Sequence, residues 1–374
     1  MKAPLVAVLG AYGAVGLAVV EALRGQPAPL RLRLGGRRAA LLEQLADPAR
    51  PDDQLCVANA FDAAALARLC EGCDLVINCA GPAHRLFDLV GRAALAAGAD
   101  YIDPAGGAPL QTSLAALAVA DPRRRVVLSA GMLPGLSGIL PRWLARGMAP
   151  GASLSVHIGT LDHFSLGAAE DYLAGMGDNE SLAAWQDGRR LAGAARREHG
   201  VDLPFFPAGL TTHPYLHHEG EQLARALALK QARFYNVFDG AHLLAALGRL
   251  SGRRLDAVQL GSAARELVAA AALDLAGRKP YLRYLFQLDG SCDGAPCSRT
   301  LMVAASGAAA ASGAMAALAA QALLAGEVPA GVHQGAEVLD AQRAVQRLRA
   351  GSALTAWQML ERAPHEAALE EGAL

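Results

Sequence analysis

The chain has 374 residues, 53% of them hydrophobic and 18% charged, and Lys+Arg 34 against Asp+Glu 35 leaves a formal net charge of -1. That is enough apolar material for two cored domains and far from the composition of a disordered chain. The even charge gives no basic footprint for nucleic acid and no polybasic membrane patch, so neither is expected as a partner.

From the N-terminus, short β-type runs alternate with helical stretches. Strands are predicted at Leu5–Leu9, Leu30–Leu34, Leu55–Asn59, Leu75–Cys79, Tyr101–Ile102 and Val126–Leu128. Helices are predicted near Ala14–Arg24, Ala39–Leu45, Ala63–Leu69, Leu86–Ala97 and Leu110–Val119. This alternation implies a parallel sheet covered on both faces. Gly35-Gly36 and Gly81-Pro82 close strands where ligand-contacting loops are expected. No signal-peptide plan precedes Leu5–Leu9, and a cytoplasmic protein is expected.

The segment Ser129–Gly138 marks a domain boundary, because the periodicity changes after it. Leu154–Gly159 reads as a strand and roughly Ala168–His199 as a polar helical stretch. Tyr281–Leu288 and Arg299–Ala305 read as a hairpin around Asp293-Gly294, and Ala308–Leu324 and Ala336–Arg349 as helices. Few crossover helices separate these later strands. The expected class is α/β: a Rossmann dinucleotide-binding domain, with a second α+β domain on a mixed, mostly antiparallel sheet. The first domain takes residues 1–130 plus returning helices at about 308–350, and the second takes 131–307. Ala308–Leu324 is built on Ala, Gly and Ser, too weakly apolar to span a bilayer, and is expected to pack on the nucleotide domain.

The cysteines are read as free thiols. Cys70 and Cys73 form a CxxC without the second ligand pair of a zinc site, and Cys292 and Cys297 flank a Gly/Pro turn. His213, His217, His218 and Glu219 resemble a ligand cluster, but Pro214 interrupts helical pairing, so no metal is expected.

The strongest motif is Gly10-Ala-Tyr12-Gly13-Ala14-Val15-Gly16, which follows a strand and opens a helix. The first glycine permits the tight turn, the second lets amides approach a pyrophosphate, and the third seats the helix on the strand. The helix N-terminus then offers unpaired N–H groups to phosphate. The spacing GxxGxxG departs from the usual GxGxxG. A site for NAD wants a carboxylate about 20 residues further on. Here Leu30–Arg38 carries no acid, and Arg37 and Arg38 stand where the 2′-phosphate of NADP(H) would lie. The loop Asn78-Cys79-Ala80-Gly81-Pro82 lies on the same edge and is expected to approach the nicotinamide-side ribose.

With these motifs the chain resembles the saccharopine reductase-like family. The resemblance rests on GAYGAVG at Gly10–Gly16, LGGRR at Leu34–Arg38 and DLVINCAGP at Asp74–Pro82. It continues through ADYIDPAG at Ala99–Gly106, SAGMLPGLSG at Ser129–Gly138 and GAMAALAAQALLAGEVPAGV at Gly313–Val332. It runs through nearly the whole chain, with the specific motifs in the first half. It implies a Rossmann domain, a second mixed-sheet domain for substrate and dimerisation, hence a homodimer, and reduction of a C=N bond or its reverse. Saccharopine reductases act on the imine of an amino acid with a semialdehyde. Similar, shorter proteins are thiazolinyl imine reductases in siderophore biosynthesis of the enantio-pyochelin type, acting on a thiazoline held by a synthetase. The compact chain, poor in saccharopine-type motifs in its middle, favours the thiazoline reading. The substrate is then a small-molecule or carrier-protein-tethered imine, with a nonribosomal peptide synthetase as partner. A saccharopine-type amino-acid dehydrogenase and a non-catalytic NADP sensor remain as alternatives. His84 follows the CAGP run where relatives often carry an aromatic residue.

Imine reduction needs hydride at carbon and a proton at nitrogen. Tyr101 and Asp103 end the fifth strand, and Asp162-His163 follow Leu154–Gly159. Tyr101, Asp103 and His163 are the catalytic candidates. Tyr101 reads equally as a core tyrosine with a bonded hydroxyl, and Asp103 as a cap of the turn before Pro104. Asp171, Tyr172 and Trp185 line a pocket or pack a helix on the second sheet.

Overall fold

The computed structural model describes residues 3–118, 121–175 and 182–361. The first elements are β1 (Leu5–Leu9), α1 (Ala14–Arg24), β2 (Arg31–Gly36), α2 (Ala39–Glu43), β3 (Gln54–Val57), α3 (Ala63–Cys70) and β4 (Leu75–Asn78). There follow α4 (Ala83–Leu86), α5 (Leu89–Ala96), β5 (Asp100–Ile102), α6 (Ala108–Ala118), β6 (Arg125–Leu128) and α7 (Leu136–Leu144). The middle of the chain holds β7 (Ser153–Leu161), α8 (Leu166–Gly175), β8 (Ala184–Gln186), β9 (Arg189–Leu191), β10 (Glu198–Val201), β11 (Leu210–Pro214), α9 (His218–Ala226) and β12 (Gln231–Phe238). It ends with α10 (Ala241–Leu250), α11 (Ala257–Leu275), β13 (Tyr281–Cys292), β14 (Ala295–Ala305), α12 (Ala308–Leu324), β15 (Gly331–Gln334), α13 (Gly335–Val338), α14 (Ala341–Ala350) and β16 (Leu354–Leu360).

The chain divides into two units. The first runs to Ile139 and takes in Ala309–Ala353; the second is Leu140–Ala308 with the strand that starts at Leu354. In the first unit seven parallel strands lie in the order β15-β6-β5-β4-β1-β2-β3. β1 and β4 are buried at every position, as expected of strands covered on both faces. The order reverses between β1 and β4, where an open α/β sheet leaves a crevice at its carboxyl edge. Helix α12 packs on α1 inside this unit: a Cβ at Gly313 would stand 2.5 Å from that of Ala18. The small residues of α12 are what allow this approach. Among the described residues no helix is long and apolar enough to cross a membrane.

The second unit is built on a nine-stranded mixed sheet, β10-β11-β12-β7-β13-β14-β16, with β8 on β12 and β9 on β8. Only β12 and β7 pair in parallel; the other pairs are antiparallel. Helices α8, α10 and α11 bury Ala169, Leu173, Leu247, Ala264 and Leu267 against one another. The hairpin of β13 and β14 turns at Asp293 and Gly294, both with positive φ.

Three expectations change. The helical reading of Ala168–His199 holds only for α8, and its residues 176–181 lie outside the described part. Beyond that segment, Asp187 and Gly188 both adopt positive φ and close the β8–β9 hairpin, an Asp-Gly turn that the polar pattern obscured. The helix expected over Ala336–Arg349 is split, because the Asp340 carboxylate accepts from the Arg343 N–H at 2.8 Å and starts a new helix. Cys292 and Cys297 are not free thiols: the turn sets them opposite each other, Cα–Cα 5.8 Å, joined as a disulfide. Cys56, Cys70, Cys73 and Cys79 are free.

Candidate functional site

The glycine loop leaves β1 through Gly10 at φ +83°, a conformation that side chains rarely adopt. A Cβ there would lie 2.8 Å from the backbone of Cys79 and Ala80, so the loop after β4 closes directly over it. A Cβ at Gly16 would collide with the Gly10 carbonyl oxygen, so this glycine lets α1 start against the turn. Gly13 caps α1 without any side-chain hydrogen bond. The first intrahelical bond runs from the Leu17 N–H to the Gly13 carbonyl at 2.8 Å. The N–H groups of Ala14, Val15 and Gly16 therefore precede the helical ladder, as a phosphate site requires. These features fit a dinucleotide pyrophosphate.

At the end of β2 the chain builds a corner around Tyr12. Its ring covers Gly36, where any side chain would collide with it. Its hydroxyl accepts from the Arg37 N–H at 3.1 Å, and the Arg38 guanidinium lies 5.3 Å from the ring centroid. Burial raises the Tyr12 hydroxyl pKa, but hydrogen bonds from Arg38 and from the backbone outweigh it and hold the group below its ordinary value. Arg37 and Arg38 are exposed. Two cations beside a fixed aromatic ring, with no acid between Leu30 and Arg38, fit the 2′-phosphate and ribose of NADP(H). The seat for Tyr12 at Gly36 is a part of the site that the reading of the sequence missed. The Gly35-Gly36 pair signals it, since a strand that ends on two glycines leaves room for a neighbour's ring.

The loop Asn78–Pro82 contains a cis bond between Gly81 and Pro82. Asn78 is buried at the end of β4; its Oδ1 accepts from the Ala80 N–H at 3.2 Å, and its Nδ2 donates to Asp103 Oδ2 at 3.1 Å. The Tyr101 hydroxyl donates to the same Oδ2 at 2.6 Å, and Asp103 Oδ1 accepts from the Ala105 N–H at 2.9 Å. Tyr101 is fully buried, and Asp103 is 4% exposed. Burial, with the Asp103 carboxylate next, pushes the Tyr101 hydroxyl pKa far up. Burial likewise raises the Cys79 thiol, with Asp103 adding to it. So Tyr101, Asp103 and Asn78 form one closed network beneath the loop, in which every donor has an acceptor.

His163 lies in the second unit, exposed, after β7. Its N–H donates to Asp162 Oδ1 at 2.7 Å, while Asp162 Oδ2 accepts from the Ala308 N–H at 2.8 Å at the start of α12. Asp162 is thereby a structural cap. No group of three or more metal-binding side chains forms among the described residues. His217 Nε2 lies 3.4 Å from Glu219 Oε2, while His213 Nε2 pairs with Arg197 at 3.2 Å. Trp185 is buried and donates to the Leu229 carbonyl at 3.1 Å, so it packs the sheet.

Residues 6–125, 120 of the 374, match the family model described as the saccharopine dehydrogenase NADP binding domain. NADP(H) is the nucleotide of this domain. The fold over the chain is similar to apo saccharopine dehydrogenase (L-Glu forming) from Saccharomyces cerevisiae, at 13% identity and TM-score 0.66, covering 96% of this chain and 100% of that one. It is also similar to homospermidine synthase from Legionella pneumophila in complex with NAD, at 11% identity and TM-score 0.57, covering 97% and 92%. No curated protein sequence matches. The chain thus has the fold of a dehydrogenase-like oxidoreductase with an NADP-binding domain.

Proposed function

We propose that the chain is an NADPH-dependent reductase of a C=N bond, and that its substrate is a thiazolinyl imine, reduced from thiazoline to thiazolidine in siderophore biosynthesis. The observation that carries the redox part is the Tyr12–Arg37–Arg38 corner set beside an open helix N-terminus, within a saccharopine dehydrogenase NADP binding domain. Bound NADPH supplies the hydride. The chain's own part is to hold the dinucleotide, orient it and deliver a proton to nitrogen.

Of the three proton-donor candidates, Tyr101 and Asp103 are engaged with each other and with Asn78. They act as positioning residues that fix the loop Asn78–Pro82. His163 has an exposed ring that makes no hydrogen bond among the described residues, and it is the assigned donor. The enzyme is taken to work as a cytoplasmic homodimer, on a free imine or one tethered to a carrier domain of a nonribosomal peptide synthetase.

The test is loss of NADPH absorbance with three substrates: a carrier-tethered aryl thiazoline, a free cyclic imine, and an amino acid mixed with a semialdehyde. Turnover of the thiazoline is expected. Turnover of the amino-acid mixture alone would replace the thiazoline reading by the saccharopine type. Consumption with none of the three would leave the sensor reading in its place. His163→Ala is expected to lower kcat roughly 10²–10⁴-fold with NADPH affinity intact.

A further inference from the structure

On the covered face of the mixed sheet, two neighbouring side chains hold polar atoms that are shielded from water and make no hydrogen bond among the described residues. They are the Tyr215 hydroxyl and both ring nitrogens of His217, although the Glu219 carboxylate stands 3.4 Å from Nε2. Each such atom costs on the order of 1–3 kcal/mol if nothing meets it, so two residues together call for a reason. The chain brings them there deliberately. The Tyr215 N–H donates to the Phe234 carbonyl at 2.9 Å and carries the strand direction of β11 onward, and His217 is the N-cap of α9. As N-cap it makes no side-chain hydrogen bond to the helix.

The surroundings select a ligand charge. The Tyr215 and His217 rings are 5.1 Å apart, and Phe234 stands 6.3 Å and 6.1 Å from them. A Cβ at Gly220 would press on the Phe234 ring at 3.1 Å, so this glycine lets α9 lie against the aromatic group. Glu219 sets its carboxylate 3.4 Å from His217 Nε2. Burial raises the Tyr215 hydroxyl pKa, and the Glu219 charge and Tyr172 raise it further; Tyr284 also feels Glu219. Two arginines stand nearby and both are engaged: Arg190 donates to the Leu216 carbonyl and to Glu221, each at 3.1 Å, and Arg197 is bonded to His213 and acts on Tyr172 and His213. Aromatic walls, a carboxylate and unpaired acceptors favour a cation that carries N–H donors.

We propose that Tyr215, His217 and Glu219 form a binding site for the protonated nitrogen of a small organic ligand, an ammonium or iminium. The hydroxyl and an imidazole nitrogen accept its N–H groups, and Glu219 supplies the countercharge. The site lies wholly within the second unit and works without NADPH, so it stands or falls apart from the redox reading.

The probes are benzylammonium chloride, benzyl alcohol and sodium benzoate, which share a ring and differ in charge. They are titrated into the nucleotide-free full chain by calorimetry at one ionic strength. Benzylammonium is expected to bind at least about tenfold more tightly than the other two, with Glu219→Gln removing that preference. Tyr215→Phe deletes an oxygen that makes no hydrogen bond among the described residues. It is therefore expected to leave the melting temperature of the unliganded chain unchanged or raised while weakening benzylammonium about fivefold. A merely structural tyrosine would show the reverse. Equal binding of benzoate, no binding of benzylammonium, or undiminished binding in Tyr215→Phe would overturn the proposal. If Glu219→Gln does not fold, Tyr215→Phe and His217→Asn decide it.

Discussion

The carboxyl edge of the parallel sheet and the covered face of the mixed sheet both bury tyrosines, and they use them in opposite ways. Tyr101 donates at 2.6 Å to an aspartate that also receives Asn78, so its hydroxyl is closed off inside the fold. The Tyr215 hydroxyl is equally removed from water but makes no hydrogen bond among the described residues. A satisfied buried network makes a loop rigid, whereas an unsatisfied buried hydroxyl costs stability until something meets it. The contrast lies in these two hydroxyls: that of Tyr101 is bonded within the nucleotide edge, and that of Tyr215 makes no hydrogen bond among the described residues.

Breaking the rigid side should cost most. Gly16→Val puts a branched side chain where even a Cβ meets the Gly10 carbonyl. It must push α1 off the turn, and overpacking of this kind costs about 3 kcal/mol. NADPH binding followed by fluorescence should fall below detection, and the denaturant midpoint should drop. If nucleotide affinity survived, the contact between turn and helix would not be what shapes the phosphate site.

Next comes an acid-side effect in the second unit. Burial lowers the His157 pKa from 6.5 to about 4, with its ring stacked 4.8 Å from that of Tyr235. The folded state therefore keeps His157 neutral where the unfolded chain takes up a proton. Stability from this group is full above pH 6.5 and is lost as pH falls towards about 4, by roughly 3 kcal/mol in all. His157→Gln should flatten that part of a melting-temperature profile against pH. An unchanged slope would mean that carboxylates alone drive the acid transition.

The cofactor corner sharpens the comparison from the other direction. Arg37→Ala and Arg38→Ala should each weaken NADPH by roughly ten- to hundredfold and NADH much less, with the difference shrinking in salt. Arg38 also lies over Tyr12, so its loss should loosen the ring as well and have the larger effect. Equal dissociation constants for NADPH and NADH in the parent chain would refute the arginine reading.

How much of this was legible in the sequence depends on whether several local signals agree. β1 and α1 have the predicted ends because an apolar run, three glycines and an amphipathic helix each say the same thing. The Arg37-Arg38 pair was legible for a similar reason, as cations at a fixed distance from the glycine loop. Other parts, in both units, were harder to read. β15 is only Gly-Val-His-Gln, and it becomes a strand because β6 offers it a parallel edge, from Gly331 against Arg125 to Gln334 against Leu128. The Tyr101–Asp103–Asn78 network joins residues from two strands, and spacing along the chain does not show which acceptor a hydroxyl will find. Tyr215 and His217 were legible only as part of a histidine-rich segment; that their polar atoms lie buried and unpaired is a fact of packing.

The smallest effect tests the comparison most directly. Tyr101→Phe keeps the ring in its core site and removes one donor from Asp103. Asn78 and the Ala105 N–H stay in place, so the carboxylate loses one of its three named donors and the expected cost is about 1.5 kcal/mol. The sign can be checked at alkaline pH. The Tyr101 hydroxyl pKa is raised well above 10.0 in the folded chain, so the unfolded state ionises first. Stability from this group is complete below about pH 10 and declines above it, and the Phe variant should lose less there than the parent chain. Tyr215 is also raised by burial and shares that alkaline behaviour, but Tyr215→Phe breaks no bond and should not destabilise at neutral pH. Melting temperatures of the two Phe variants at neutral pH therefore separate the regions. A drop for Tyr101→Phe with none for Tyr215→Phe supports the contrast, and equal drops would show that the two hydroxyls are held alike.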